Sequence, residues 1–169
     1  AYFEFTISTQ NLFGYRSEFM TDTKGLGILN VSNLSFQKAD EIVRKRVEGS
    51  LVAHESGTTN LYGLVNTQDR GELFVGPAVS VYKGQVVGKH SREGDLIINV
   101  CKAKHLTNMR SKGEGRSEHF DTPKIMSLED ALEYIAQDEL VEVTPKNIRI
   151  RKVVLDPTEE RRKRSQGLI

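Results

Sequence analysis

One cysteine, Cys101, stands among the 169 residues, which excludes an intrachain disulfide and fits a reducing compartment. No apolar run approaches the ~20 residues that a bilayer crossing needs, and no basic-then-apolar leader stands at the start. A cytoplasmic protein without membrane contact is expected. Glycine is too scattered to build a phosphate cradle: neither GxxxxGKS/T nor GxGxxG follows a strand-like run, so nucleotide hydrolysis has no place on this chain. Cys101 and His105 are spaced like two metal ligands, but a structural zinc needs about four N or S donors and no second pair is near. No metal is expected. A nucleophile on Cys101, with His105 or His119 as base, lacks a group to orient that base. His54 and His90 close strand-like runs and read as surface or core histidines.

What is present is an ordinary globular composition, 37% hydrophobic and 28% charged, with length for one domain or two small ones. The net charge of +1 conceals a segregation. Residues 1–100 carry ten basic against eleven acidic side chains, 101–126 six against three, 127–148 one against six, and 149–169 seven against three. Two basic segments flank an acidic one. Such a distribution suits an anionic partner, because Lys and Arg displace counterions from phosphates. A solvated surface would carry the same charges, so charge alone does not decide.

The chain opens with period-2 alternation at Tyr2 to Ser8, with Phe3, Phe5 and Ile7 on one side, the pattern of a half-buried strand. Asn11 to Lys24 predicts a helix with Leu12, Tyr15 and Phe19 on one face and Gly25 at its stop. Leu26 to Phe36 returns to strand character. Strand, helix and strand in so few residues cannot close a core, so residues 1–36 read as the second half of an α+β domain. Residues 37–49, charged and poor in apolar residues, read as a linker.

From Ser50 onward, short apolar runs alternate with glycine turns: SLVAHESG, TTNLYGLVN, GELFVGPAVSVYKGQVVGKHS and GDLIINVCK. That texture predicts a mainly-β domain, barrel-like or sandwich-like, over 50–169, with a single helical turn near Asn66 to Arg70. Farther on, Ser127 and Asp130 have capping-box spacing before an amphipathic helix at 127–139, its stripe formed by Leu128, Ala131, Leu132, Ile135 and Ala136. Leu140 to Thr144 and Asn147 to Val153 alternate about a turn at Pro145-Lys146 and form a hairpin. Asp156-Pro157 opens a basic tail helix.

Between the two patterned regions lies Cys101 to Phe120, CKAKHLTNMRSKGEGRSEHF, with five Lys or Arg against two Glu. An unpatterned stretch of this length is uncommon in a compact domain, where connections run ~4–6 residues, and is then either functional or disordered. Its Lys102, Lys104, His105, Asn108, Arg110, Lys112 and Arg116 can contact phosphate, ribose 2′-OH and unstacked bases. It lacks the paired aromatics of a stacking platform, so backbone and shape recognition is expected. A second basic set lies at Arg149, Arg151 and Lys152, where alternation puts Arg149 and Arg151 opposite Ile148 and Ile150.

Several ordered blocks carry a resemblance. Leu12-Phe13-Gly14-Tyr15-Arg16, Glu18-Phe19-Met20-Thr21 and Lys24-Gly25-Leu26-Gly27 are followed by Gln68-Asp69-Arg70-Gly71-Glu72-Leu73-Phe74-Val75-Gly76. Val81-Tyr82-Lys83-Gly84-Gln85, His90-Ser91-Arg92, Leu106-Thr107-Asn108-Met109-Arg110, Asp138 to Pro145 and Ile148 to Lys152 complete the series. Together they resemble the C-terminal part of translational GTPases of the BipA/TypA family. The resemblance implies that residues 1–36 are half of the ferredoxin-like last α/β domain of an elongation-factor-G-like protein, and that 50–169 are the family-specific domain. It also implies a ribosome-stimulated GTPase as parent, whose GTP and Mg sites lie outside this chain, leaving no cofactor here.

The expected function is therefore non-catalytic: a monomeric ribosome-binding and RNA-binding part acting in large-subunit assembly and in translation under stress. The 101–120 loop is expected to reach large-subunit rRNA and the acceptor arm of A-site tRNA, with Arg16, Lys24, Arg149, Arg151 and Lys152 as secondary contacts. No DNA contact is expected. The alternative is a protein-interaction module that docks another factor through the acidic helix at 127–139.

Overall fold

The computed structural model describes residues 1–12, 14–38, 46–103 and 119–167. It divides into two compact units, Ala1–Lys45 and Arg46–Ile169.

The first unit contains two short helices, α1 (Thr9–Leu12) and α2 (Tyr15–Asp22). The single helix expected over 11–24 is interrupted because Gly14 takes φ +80° and caps α2, a left-handed conformation that an L side chain would resist. Gly25, at φ +77°, donates its N–H to Met20 O at 2.8 Å and closes the end of α2. The flanking stretches 1–8 and 26–36 belong to no ladder. Their apolar side chains stand in solvent: Tyr2, Phe3, Phe5, Leu26, Ile28 and Phe36 are all more than 70% exposed. Two strands with nothing packed on them are marginal as a sheet; the alternation predicts strands here, but no described residue pairs with them.

The second unit is α+β around an open six-stranded sheet. In chain order it comprises β1 (Glu48–Ala53), β2 (Gly57–Thr58), α3 (Leu61–Gln68), β3 (Gly71–Leu73), β4 (Ser80–Val81), β5 (Gln85–Glu93), β6 (Leu96–Ile98), α4 (Leu128–Tyr134), β7 (Glu139–Val143), β8 (Ile148–Lys152) and α5 (Pro157–Ser165). The sheet runs β6-β1-β5-β8-β7, with β3 also pairing with β5, while β2 and β4 form a separate pair. Since β1 occupies one edge of β5, β8 and β3 share the other, at Gln85–Val86 and Gly88–His90. The order ends at β6 and β7, which do not meet, so the expected barrel does not close. At one end β6 joins β1 in parallel through Leu51↔Leu96.

Both faces are covered, as alternating side chains in the central strands require. Leu51, Ala53, Val87, Ile98 and Val100 pack with Leu64 of α3 on one face. On the other, Val86 and Ile150 pack with Ala131 of α4, and Phe74, Met126, Tyr134 and Ile135 close around them. The strand expected over TTNLYGLVN is instead the two-turn α3. Its N-cap is Asn60, whose side chain accepts from Tyr62 N at 3.0 Å. Gly63 lies mid-helix because a Cβ there would sit 2.6 Å from Val100 O.

The capping box at α4 forms as the spacing predicts: Ser127 Oγ accepts from Asp130 N at 3.1 Å, and the Asp130 carboxylate accepts from Ser127 N at 3.1 Å. Replacing Ser127 with Ala is expected to cost about 1 kcal/mol in a urea titration. The helix ends at Tyr134 rather than Glu139, because Ile135 turns extended and Ala136 N donates to the Glu139 carboxylate at 3.0 Å. Leu128 and Leu132 of the predicted stripe are largely exposed, and Tyr134 enters the core instead. β7 and β8 form the predicted hairpin, with Glu142↔Arg149 and Val141↔Ile150 opposite one another. Thr144 closes the turn, its N donating to Asn147 O at 2.9 Å.

Candidate functional site

The 101–120 segment is fixed at both described ends. Its outgoing leg begins at Val100, which is 1% exposed in the core and whose carbonyl accepts from Asn60 N at 2.9 Å. Cys101 N then donates to Asn99 Oδ1 at 3.0 Å. Lys102, the next residue, is exposed. On the return leg Phe120 packs against the α3-side core, and Lys124 N donates to Leu73 O at 2.8 Å. Lys104, His105, Asn108, Arg110, Lys112 and Arg116 lie outside the described residues.

The second basic set is split by the pleat of β8. Ile148 and Ile150 face the α4-side core, and Arg149 and Arg151 take the other face, as cross-strand pairing with Glu142 and Gln85 requires. Arg151 Nε lies 2.8 Å from Glu142 Oε1, but its N–H is not aimed at that oxygen, so this is an ion pair without a hydrogen bond. Glu142 also accepts from Tyr82 OH at 2.6 Å. Burial, reinforced by that carboxylate, holds the Tyr82 phenol well above its ordinary pKa. No ion pair to Arg149 is found among the described residues. Arg16 and Lys24 are exposed in the first unit.

Lys152 faces inward and is 3% exposed. Its Nζ meets Asp95 at 2.5 Å, Asp138 at 3.0 Å and Glu139 at 3.0 Å. From the other side Arg46 grips the same Glu139 through both guanidinium nitrogens at 3.1 Å, and also donates to Ser50 Oγ at 2.8 Å. The Arg46 guanidinium carbon lies 4.0 Å from the Tyr134 ring centroid, a cation–π contact. Ser50 Oγ donates to Glu139 at 2.5 Å and lies 3.0 Å from Tyr134 OH. This network ties the start of β1 to the ends of α4 and β8. Lys152 and Glu139 are thereby committed to the interior, while Asp138 of the acidic 127–139 segment is partly exposed and bonded to Lys152.

The protonation states follow from opposed effects. Burial alone would raise the Glu139 pKa, but the Arg46 hydrogen bonds, the Lys152 charge, Ser50 and Ala136 N together hold it below the ordinary 4.5. Burial alone would lower Lys152, but Glu139 and Asp95 raise it above the ordinary 10.5. Burial pushes Tyr134 up to about 12. A lowered carboxylate pKa stabilises the fold above its unfolded value and is lost as pH falls. A raised lysine pKa stabilises below its unfolded value and is lost as pH rises. The urea midpoint is therefore expected to be flat between these limits, as far as this network is concerned, and to fall once the pH drops below about 4.5. A pH series of urea titrations measures it.

Cys101 is half-buried, and burial with the nearby Glu55 charge pushes its thiol pKa up. A nucleophile needs the opposite shift. His119 is exposed and pairs with Asp121 at 3.3 Å. Among the described residues no group of three or more His, Cys, Asp or Glu could hold a metal. Among them, too, no helix is long and apolar enough to cross a membrane.

The domain so built has known relatives. Residues 48–157 match the family described as the TypA/BipA C-terminal domain. A protein of Synechocystis named large ribosomal subunit assembly factor BipA is 44% identical over 150 residues, covering 89% of this chain and 25% of that protein. The Bacillus subtilis protein of the same name is 41% identical over 170 residues, covering 97% and 28%. That of Salmonella typhimurium is 44% identical over 163 residues, covering 94% and 26%. The chain thus spans about a quarter of the length of these relatives. With the family match running from the first residue of β1 to the first of α5, the chain belongs to the TypA/BipA C-terminal domain family.

Proposed function

We propose that this chain is the ribosome-binding, non-catalytic part of a larger BipA-like assembly factor. The observation that carries the reading is the identity of 41–44% to proteins named for large-subunit assembly over nearly the whole chain. Physical support comes from the basic 101–120 segment, rooted at both ends in a folded domain. Lys102, Lys104, His105, Asn108, Arg110, Lys112 and Arg116 contact large-subunit rRNA, mainly through phosphates, and reach the acceptor arm of A-site tRNA. Arg149 and the half-buried Arg151 of β8, with Arg16 and Lys24 of the first unit, add secondary phosphate contacts. Lys152 is left to its interior role. GTP and Mg act in the part of the parent protein beyond this chain, and the whole works in the cytoplasm as a monomer, in assembly and in translation under stress.

Co-sedimentation with isolated large ribosomal subunits tests this. The chain is expected in the pellet at low salt and to be released as potassium chloride rises. A chain that stays in the supernatant at the lowest salt overturns the reading.

A further inference from the structure

We propose that the outer edge of β7 takes an extended basic peptide segment as an added strand, whose apolar side chains seat against the flank of α4. No residue of the 101–120 segment takes part. The register of the β7–β8 hairpin fixes which backbone groups face outward. Thr144 N donates to Asn147 O at 2.9 Å at one end of the ladder, and Val153 N donates to Asp138 O at 2.9 Å at the other. Antiparallel pairs alternate, so Leu140 and Glu142 turn their N–H and C=O groups toward β8, while Val141 and Val143 turn theirs to the open side. Among the described residues no hydrogen bond reaches Val141 or Val143 on that side. Edge strands are ordinarily guarded by shortness, Lys, Pro or a bulge. β6, at the opposite edge, is three residues long. β7 has five residues in unbroken register with neither Lys nor Pro, and it exposes Leu140 and Val143.

Val141 packs on the α4-side core, and the strand period puts the Val143 side chain on the same face. α4 lies over β8 and β7. From it Tyr134 leans toward β1, its OH 3.0 Å from Ser50 Oγ. At about 100° per residue, Leu128 and Leu132 fall on the other side of Ala131 from Tyr134. In the order β1-β5-β8-β7 that is the flank beside β7. The two leucines, 37% and 49% exposed, offer an apolar wall to alternate side chains of an added strand.

The charge of the partner follows from the same two elements. α4 and β7 carry Glu129, Asp130, Glu133, Glu139 and Glu142 and no Lys or Arg. Asp130 is engaged in the capping box, Glu139 in the interior, and Glu142 with Tyr82 and Arg151. Glu129 and Glu133 stand exposed on the helix surface next to the leucine flank. A strand flanked by Lys or Arg is drawn to this surface, whereas a second copy of β7 would bring its own acidic α4 against it.

Fluorescence anisotropy on the full chain tests this with a labelled synthetic peptide, Lys-Lys-Val-Thr-Val-Thr-Val-Lys-Lys. Wild type is expected to bind it, and binding should slow amide exchange at Val141 and Val143. Val143→Pro removes an outward N–H and obstructs the edge while keeping the β7–β8 bonds. It is expected to bind about ten-fold more weakly or worse, with a urea midpoint near that of wild type. Leu132→Lys removes part of the apolar wall and should weaken binding to a similar degree. A peptide with serine in place of valine, at the same charge, should also bind about ten-fold more weakly. Wild-type affinity in a folded V143P, or equal binding of the serine peptide, overturns the proposal, because attraction between charges then explains the binding. Failure of the valine peptide to bind overturns it too, as does a chain that dimerises while V143P stays monomeric, since a second copy is then the occupant. If V143P does not fold, wild-type affinity in L132K overturns it instead.

Discussion

Replacing Glu139 with Ala is expected to destabilise the second unit by about 3–5 kcal/mol, the scale for removing one partner of a buried ion pair. The Glu139 side chain is fully buried and touches Arg46, Ser50 and Lys152 at once. Removing its charge takes from Arg46 and Lys152 the carboxylate they share; Asp95 and Asp138 stay on Lys152, and Arg46 keeps only the weaker pull of Asp95. The expected result is a urea midpoint lowered well below that of wild type with the slope of the transition retained. Glu139→Gln separates charge from shape: it keeps the volume, and its deficit should shrink as pH falls below the carboxylate range, where wild type loses the same interaction. An E139A protein within about 1 kcal/mol of wild type would show that Arg46 and Lys152 find adequate solvation without it.

Nothing local in the sequence announces that network. Arg46 sits in QKADEIVRKRVE, which is charged enough to pass for a solvated linker, and its carboxylate partner lies 93 residues away. No short-range pattern links the two. Lys152 does carry a signal: it has the parity of Ile148 and Ile150 on an alternating strand, so its side chain has to point inward. Treating it as a surface cation sets composition above periodicity.

Local rules serve well where the determinants are local. The Ser127–Asp130 box and the Pro145-Lys146 hairpin are legible because their bonds span a few residues. α3 is hidden because Gly63 and the apolar run argue for strand, although Asn60 before Leu61 is an N-cap signature. Gly63 is required by the approach of Val100, a contact 37 residues distant. The open sheet is hidden for a similar reason, since strand order and the parallel β1–β6 pairing are long-range choices that glycine spacing does not encode. Of the candidate site, the basic character of the 101–120 segment and its outgoing support at Val100 are readable, but the hold on its return leg, Phe120 in the core and Lys124 N on Leu73 O, is not.

The second large effect concerns binding. Changing Lys102, Lys104 and Arg110 together to Ala removes three of the five Lys or Arg residues in the 101–120 segment. Each phosphate no longer neutralised reduces the log–log salt slope by about 0.7–0.9 unit, and pairing of this kind supplies most of sequence-independent affinity. Release of one to three phosphates therefore predicts binding weaker by about ten-fold or more at low salt, the difference narrowing as salt rises. Lys102 is exposed beyond the fixed Val100–Cys101 leg, so its replacement should leave the folded domain untouched, and a urea titration of the triple variant checks that its fold is kept.

The most direct measurement is the salt dependence of affinity for isolated large ribosomal subunits, taken side by side for the wild-type chain and this triple variant. The predicted result is a steep negative slope for wild type and a flatter one for the variant, by about one unit for each phosphate released. Equal slopes and equal affinities would contradict the placement of the RNA interface on the 101–120 segment.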